Sequence, residues 1–528
     1  MVLRINGMAS GLDIDSIVKQ LMTAAKVPAD KLKQQKQTVE WQRDIYKDIN
    51  KKLLDFRNNK VFNFKSEKTL AAKQVAISGD NQVFTATARA DAPIGTTSIK
   101  VMSLATSAKM TGGDIRVAPV APDTTVFDPA SKLSDQTAKL DPSLIVGTGT
   151  GVGTDYSFKI NGTQIDVDTS VDSLNDVISR INKTTNVNAF YDSFTGQISL
   201  TTKATGKTAD IKITDDTNNF AGSILKLNGL VNTPAENAKL EINGISTERE
   251  SNSFSINGMD IVLKQKSVFT GVAGQEADPT KYVATSIGVS TDTSKIVDSI
   301  KTFINDYNDV LKTLQDKVGE KRYRDFLPLT DDQRKDMKED EITQWETKAK
   351  SGLLYNDSIF SSAIASLRSV TSAVVNTGNS DYRTLSSIGI GSINYAEHGK
   401  LYVTDEDKLK KAIETDPDAV LALFSATGNG DADETDVGIV QRMYSNLKVT
   451  LDIIASKSGT SIFSDSAVLK SDSMMGKQLT QISNQIDTWN SRLIDMENNY
   501  YKRFTAMEQA ISRMNSQSQN LANTFSGN

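Results

Sequence analysis

Few residues in this chain could form a catalytic or metal-binding centre. Histidine occurs once, at His398 in the turn-like stretch 395–399, and cysteine is absent. Without cysteine, there can be no disulfide, thiolate nucleophile or cysteine-ligated zinc. A single histidine excludes a multi-histidine metal site, and no Gly-x-Ser-x-Gly motif supplies the nucleophile of a Ser-His-Asp triad. We therefore interpret His398 as an exposed loop residue and predict no catalytic residue and no metal site.

Three short motifs resemble ligand-binding loops, and each lacks a required feature. Residues 206–208 match the end of a P-loop, but Thr201 stands where that motif requires its first glycine. The alternate glycines of 147–153 precede a hairpin pattern, so no helix N-terminus is available for a pyrophosphate. The acidic run 431–436 lacks the glycine of a calcium loop. We predict no cofactor, and the alternative of a Ser–Lys enzyme has no motif to support it.

The clearest periodicity lies near the C-terminus, where residues of one stripe recur in alternating steps of three and four. This heptad spacing is sustained over roughly six heptads, and no proline follows Pro417. The length favours a coiled coil over the alternative of a long helix packed on its own domain. We predict oligomer or filament contacts through Leu479, Ile482, Ile486, Trp489, Leu493, Met496, Tyr500, Met507, Met514 and Leu521.

A weaker pattern lies near the N-terminus. A three-four row follows Asp13, which we predict to be an N-cap, and two heptad rows containing glutamines extend over 32–56. Pro28 is predicted to break or kink the helix between these stretches. Residues 26–68 hold twelve basic and six acidic residues, which we interpret as a solvated basic face. The predicted contact residues of this region are Leu12, Ile14, Ile17 and Leu21.

The middle of the chain has the pattern of a β-rich region. Three Ile-Asn-Gly sequences, at 160–162, 242–244 and 256–258, lie between runs of alternating apolar residues. Asn-Gly supplies the positive φ angles of a tight turn, so each predicts a β-hairpin. Residues 171–183 have helical spacing, as do residues 291–316. Residues 317–350 carry nine basic and nine acidic residues, which indicates a solvated, charge-paired surface segment.

These patterns predict an α+β multi-domain fold, because a chain of 528 residues is too long for one core. The predicted parts are a terminal α-helical coiled-coil stem, a helical leg domain and nested β-rich head domains. The outer head is predicted to contain one helix. The predicted boundaries are 1–40 with 476–528 for the stem, 41–72 with 288–475 for the leg, 73–112 with 236–287 for the inner head, and 113–235 for the outer head.

Composition restricts the compartment and the partners. The formal net charge is −5, which gives no reason to invoke nucleic acid. No run approaches the roughly 20 apolar residues of a membrane-spanning helix. The N-terminus lacks the apolar segment and cleavage site of a secretory signal peptide. We therefore expect either a cytosolic protein or one exported without a cleaved signal, and no membrane insertion.

Several segments, in order over nearly the whole chain, resemble one protein family. They are GMASGLDIDS and IVKQLM at 7–22, a stretch at 173–206 similar to flagellin-related head domains, FINDYNDVLKTL at 303–314, SGLLYNDS at 351–358 and MNSQSQNLANTF at 514–525. In these segments the chain resembles the flagellar filament capping proteins, also called flagellar hook-associated protein type 2. Relative to shorter members, residues 317–350 look like an insertion.

The resemblance implies a function without catalysis. It implies a homo-oligomeric ring, in our expectation a pentamer, at the extracellular tip of the bacterial flagellum. Such a cap retains exported flagellin and promotes its folding and polymerisation. The implied partners are flagellin and the flagellar type III export apparatus with its chaperone, and export requires no signal cleavage.

Two other classes of protein compete with a filament cap. Another flagellar axial protein, such as a flagellin or a hook–filament junction protein, would share the helical ends and the β-rich head. A surface adhesin would use its head for cell adhesion, although the sequence of 113–235 shows no aromatic cluster that marks a sugar-binding platform. Assembly behaviour separates a cap from a flagellin, because a flagellin forms filaments alone and a cap forms closed particles.

Overall fold

A computed structural model describes residues 10–117, 126–141, 156–227, 231–428, 434–461 and 470–525. The α-helices of these residues, in chain order, are α1 Ile14–Asp55, α2 Phe62–Phe64, α3 Glu67–Leu70, α4 Leu174–Thr184, α5 Thr293–Gly319, α6 Asp331–Asp336, α7 Glu339–Lys350, α8 Ser358–Thr371, α9 Glu406–Thr415, α10 Pro417–Ser425, α11 Ile439–Ser458 and α12 Met474–Phe525. A π-helical turn, Phe56–Val61, continues α1.

The strands of the described residues are β1 Lys73–Ser78, β2 Phe84–Ala88, β3 Gly95–Ser103, β4 Lys109–Asp114, β5 Tyr156–Ile160, β6 Thr163–Val167, β7 Val187–Asp192, β8 Gln197–Thr202, β9 Ile213–Thr214, β10 Val231–Thr233, β11 Ala238–Ile242, β12 Ile245–Arg249, β13 Ser253–Ile256, β14 Met259–Leu263, β15 Thr285–Thr291, β16 Ile390–Gly391 and β17 Tyr402–Val403. The predicted α+β organisation, with helical ends around a β-rich middle, is confirmed.

The chain divides into two compact units. The helical unit comprises residues 1–71 and 293–528, and the β-rich unit comprises residues 72–292. The β-rich unit has two separate apolar cores, which we call inner and outer after the predicted heads. The inner core is formed by residues of 83–105 and 238–289, and the outer core by residues of 108–235. Two cores in one unit support the predicted inner and outer heads, but the four-part division with its boundaries stays a prediction.

The β-rich unit is built from antiparallel sheets. The inner core has a five-stranded sheet of order β1-β15-β3-β11-β12 and a three-stranded sheet of order β13-β14-β2. The outer core has a four-stranded sheet of order β10-β4-β8-β7, a three-stranded sheet of order β6-β5-β9, and α4.

All three Ile-Asn-Gly hairpins are present, joining β5 to β6, β11 to β12 and β13 to β14. Asn161, Asn243 and Asn257 have φ between 47° and 48°, the left-handed conformation that a tight hairpin turn requires.

The helical unit packs around the C-terminal part of α1. Tyr46, Ile49 and Leu53 are buried on this helix, and α5, α8 and α11 pack around them. The ring of Phe64 stacks on Phe303 with centroids 4.4 Å apart. This core holds the C-terminal part of α1 in place.

The break predicted at Pro28 is wrong, because α1 is continuous from Ile14 to Asp55. Proline lacks the N–H that would bond to the carbonyl of residue 24, so one helical hydrogen bond is lost. Met22 and Ala29, on either side of Pro28, are buried. Burial on both sides of Pro28 offsets the missing bond and keeps the helix intact.

Candidate assembly site on the terminal helices

The two terminal helices pair with each other within one chain, and they run antiparallel. Ser10 donates a hydrogen bond to Glu508, which is 2% exposed. One turn further along α1, the Tyr501 hydroxyl donates to Asp15 Oδ1 over 2.9 Å. The chain therefore forms a stem hairpin, which we define as residues 10–29 packed on residues 489–508.

An apolar stripe on each helix holds the stem hairpin together. Asp13 begins α1 by accepting a hydrogen bond from the Ser16 N–H over 3.0 Å, as predicted for an N-cap. The buried residues of the cluster are Ile14, Val18, Met22, Ala29 and Leu493. Partly buried residues packed against it are Ala25, Trp489, Met496, Tyr500, Tyr501 and Phe504.

The predicted contact residues of α1 lie on different sides of the helix. Ile14 is buried at 5% exposure and Ile17 is half-buried, whereas Leu21 and Leu12 are 39% and 45% exposed. The sequence reasoning missed Val18, Met22 and Ala29, which carry the contact instead. Their spacing of four and seven residues was visible in the sequence, but a three-four row beginning at Ile14 selects the neighbouring face of the helix.

The predicted stripe of α12 divides at Met507. Ile482 and Leu493 are buried. The other predicted contact residues up to Met507 are half-buried, namely Leu479, Ile486, Trp489, Met496, Tyr500 and Met507. Beyond Met507 the pattern changes, because Met514 is 65% exposed and Leu521 is 57% exposed. Much of the stripe is therefore used inside the chain, and its contact with other copies or with a filament stays a prediction.

The stem hairpin has two flanks, which different residues define. Asp15 and Tyr501 are joined by their hydrogen bond and so mark one flank. With 3.6 residues per helical turn, Ile17 and Leu21 fall on the opposite side of the buried stripe from Asp15. By the same geometry, Met496, Met507, Met514 and Leu521 fall on the side of α12 opposite Tyr501. We call this second side, defined by those six residues, the open flank.

The structure shows the surroundings of two of the candidate chemical residues. His398 is exposed, and its carbonyl accepts a hydrogen bond from Gln315 Nε2 over 2.9 Å. Lys207, in the P-loop-like motif, pairs with Glu248 at 3.3 Å. Among the residues that the structure describes, no group of three or more His, Cys, Asp or Glu side chains is arranged to hold a metal ion. The glycines of 147–153 lie outside the described residues, as do Asp431 and Asp433.

An exposed aromatic pair on the outer head was missed from the sequence. Phe190 is 65% exposed and Phe194 is 90% exposed. The turn that carries Phe194 is held by Arg116, which donates to the carbonyls of Ser193 and Phe194 over 2.7 and 3.1 Å. Asp192 accepts from the Thr195 N–H over 3.1 Å. The turn therefore presents a large apolar side chain from a well-anchored backbone.

None of the helices described between residues 10 and 525 is long and apolar enough to cross a membrane.

Comparison with known proteins identifies the family. A model of the flagellar hook-associated protein 2 C-terminus matches residues 235–516, and a model of the N-terminus of the same family matches residues 10–108. Flagellar hook-associated protein 2 of Halalkalibacterium halodurans is 28% identical over an alignment of 559 positions, which covers 99% of this chain and 100% of the relative. The same-named protein of Thermotoga maritima is 24% identical, with 99% of this chain and 96% of the relative covered.

A solved structure has the same fold. The crystal structure of the flagellar cap protein FliD D1-D2-D3 domains from Escherichia coli superposes with a TM-score of 0.52 at 20% identity. The match covers 83% of this chain and 99% of that chain. The two family models together match more than half of the sequence, and the order of their segments agrees with this shared fold. The chain belongs to the flagellar hook-associated protein 2 family.

Proposed function

We propose that this protein is a flagellar filament cap. It forms a homo-oligomeric ring at the extracellular tip of the filament, retains exported flagellin there and promotes its folding and polymerisation. The names of the relatives support a flagellar role, and the fold shared with a flagellar cap protein of Escherichia coli supports a cap. We further propose five copies in the ring, and export by the flagellar type III route with the help of a chaperone and without signal cleavage.

One structural observation carries the proposal. The two helices of the stem hairpin bury each other's apolar stripes within one chain, so the hairpin can remain folded without a neighbouring molecule. The open flank and the end of α12 still expose apolar side chains, of which Leu21, Met514 and Leu521 are 39%, 65% and 57% exposed. A folded stem that exposes apolar side chains on one flank is suited to docking against other helices. Each large apolar side chain that becomes buried on docking contributes about 1.5–3 kcal/mol.

A cap must also release its contacts as each flagellin subunit inserts. The end of α12 is suited to that task, because residues 515–520, between Met514 and Leu521, are all Asn, Ser or Gln. Polar contacts in water are individually weak, with a net contribution of about 0.5–1.5 kcal/mol each. The proposed docking is therefore strong enough over many residues to persist, and weak enough at each residue to be exchanged.

The proposal is tested in a flagellated strain that lacks its own copy of the gene. The wild-type gene restores long filaments, and without it the cells secrete monomeric flagellin. A triple variant, Leu21→Ser, Met514→Ser and Leu521→Ser, removes the three most exposed apolar side chains of the open flank and fails to restore filaments although the purified protein remains helical. Ile494→Ser is the matched control, because Ile494 is 60% exposed but lies on the flank marked by Tyr501. Normal filaments from cells without the gene would exclude a cap.

Adhesion through the head is a second candidate, favoured by Phe194 at 90% exposure. Large aromatic side chains on pre-organised loops are typical anchors of binding surfaces. Phe194→Ser leaves the fold unchanged and, if the head is adhesive, lowers attachment of flagellated cells to a surface without shortening the filaments. Equal attachment by both strains removes this candidate and leaves the cap unaffected.

A further inference from the structure

Residues 320–350, which we call the strap, are more than a solvated surface segment. They fold around an aromatic cluster in which the ring of Phe326 lies 4.6 Å from that of Trp345. The indole N–H of Trp345 donates to the carbonyl of Leu327 over 2.8 Å. At the base of the strap, Arg322 donates to the carbonyl of Ala349 over 2.9 Å. These contacts give the strap a structure of its own.

The strap lies across α1 and is joined to it at several points. Gln34 Nε2 donates to the carbonyl of Pro328 over 2.8 Å. Lys33 forms an ion pair with Asp331 at 2.7 Å. Further along α1, the amine of Lys350 lies 4.8 Å from the ring centroid of Trp41. The contacts extend over about two turns of the helix. The hydrogen bond and the ion pair lie within residues 30–38, which we call the strap level of α1.

That level is the longest stretch of α1 without a buried residue. Residues 14–29 are secured by α12, and the residues from Val39 onwards by the core of the helical unit. No residue of 30–38 is buried. Pro28, directly before this stretch, removes one helical hydrogen bond. A helix segment with few buried contacts opens locally more readily than the segments on either side of it.

The packing around this level is also incomplete. A cavity of ≈580 Å³ lies between α1, Leu327 and α12, and glutamines of both helices line it together with Val39 and Ile482. A second cavity of ≈330 Å³ is lined by Trp41, Pro328 and Ile486 among others. Both cavities are open to solvent, and their lining atoms lack packing partners on the open side, which lowers the packing stabilisation at this level. At this level the strap therefore adds a hydrogen bond and an ion pair to the looser packing of α1 against α12.

We propose that the strap is a releasable brace that sets the direction of the stem hairpin relative to the helical core. Closed, it holds α1 straight through residues 30–38. Its contacts are polar and partly solvated, with the Lys33 and Asp331 side chains 43% and 73% exposed, so release requires little free energy. When it opens, the stem hairpin can change direction while the buried residues at both ends of the level stay packed. This mechanism does not depend on the partner that the stem binds.

Amide hydrogen exchange of the purified full-length protein tests the brace. In a Gln34→Ala and Asp331→Asn double variant, we expect exchange over 30–38 to rise roughly fivefold or more, because one hydrogen bond and one ion pair are lost. Exchange over 14–29 should not change. Lys335→Ala is the matched control, since its amine pairs with Asp332 within the strap. In the wild type, added salt should raise exchange over 30–38, and in Asp331→Asn it should not.

Two outcomes would overturn the brace. Wild-type exchange over 30–38 in the double variant would mean that the strap does not hold this level. An equal rise over 14–29 would mean that the whole stem hairpin is destabilised and that no local brace exists. Since the readout is exchange in the isolated protein, neither result bears on filament capping, which is tested by the complementation experiment alone.

Discussion

The hydroxyl of Tyr46 donates a hydrogen bond to Oδ2 of Asp357 over 2.5 Å, inside the core of the helical unit. Tyr46 is fully buried, and the Asp357 side chain is 8% exposed. The amine of Lys457 reaches the same carboxylate at 3.1 Å. The other carboxylate oxygen accepts the N–H groups of Ile359 and Phe360 and so caps α8. One carboxylate therefore ties together α1, α8 and α11.

Replacing Tyr46 by Phe removes a donor from this buried carboxylate. We expect the helical unit to lose about 1–3 kcal/mol of unfolding free energy, because a buried acceptor is left with fewer partners. Tyr395→Phe is the matched control, since Tyr395 is 91% exposed. Urea unfolding followed by tryptophan fluorescence measures the change, and an effect no larger than that of the control would contradict it. The fluorescence reports on the helical unit alone, because the three tryptophans are Trp41, Trp345 and Trp489.

The same carboxylate predicts how stability depends on pH. Burial disfavours the charged form of Asp357, but hydrogen bonds from Tyr46, Lys457 and the Phe360 N–H outweigh it and hold the pKa of Asp357 below its usual value. A depressed pKa adds stability above the unfolded-state pKa of about 3.9, and this stability is lost as the pH falls through the folded-state value.

Asp357→Asn tests this linkage. The variant is expected to be less stable than the wild type at pH 7, and the gap should narrow once the pH falls below about 4. Urea midpoints between pH 3 and pH 7 measure the gap. Asp381→Asn serves as the control, because Asp381 lies on an exposed turn. A gap that stays constant over this range would show that Asp357 does not contribute through its charge.

The stem hairpin gives a comparison between neighbouring residues. Leu493→Ala removes a side chain that is 9% exposed, and we expect a loss of about 2 kcal/mol or more, because a cavity replaces a buried leucine. Ile494→Ala, at the next position of α12, removes a side chain that is 60% exposed and should change stability by less than about 0.5 kcal/mol. The urea midpoint of the tryptophan fluorescence, to which Trp489 of the same cluster contributes, measures both. Equal losses would mean that the hairpin does not pack through Leu493.

The sequence was sufficient where one local rule decides the structure. The Asn-Gly turns at Asn161, Asn243 and Asn257 require positive φ, and each forms its hairpin. The heptad spacing of α12 likewise predicted a long helix, which extends from Met474 to Phe525. Local rules of this kind depend on neighbours in the chain, so a single sequence contains them.

Features decided by distant partners could not be predicted in the same way. Which face of α1 is buried depends on the antiparallel register with α12, and that register placed Val18 inside and Leu21 outside. The strap looked like a solvated insertion because its charges are visible in the sequence, whereas the hydrogen bond from Gln34 to the Pro328 carbonyl is not. Phe194 gives no sequence signal of its exposure, because only the turn held by Arg116 directs it outward.

Two glycines of the β-rich unit separate backbone strain from steric clash. Gly162 and Gly206 have φ of +84° and +92°, but a Cβ on Gly162 would meet nothing within 4 Å, whereas one on Gly206 would lie 2.6 Å from Glu250 Cα. Gly162→Ala should therefore cost about 1–2 kcal/mol from the left-handed backbone alone. Gly206→Ala should cost a further 1–3 kcal/mol or so, because Glu250 must move. Hydrogen exchange of the slowest amides in β5 and β8 of the full-length protein measures both losses of stability. Equal losses would show that Glu250 does not clash with a side chain at position 206.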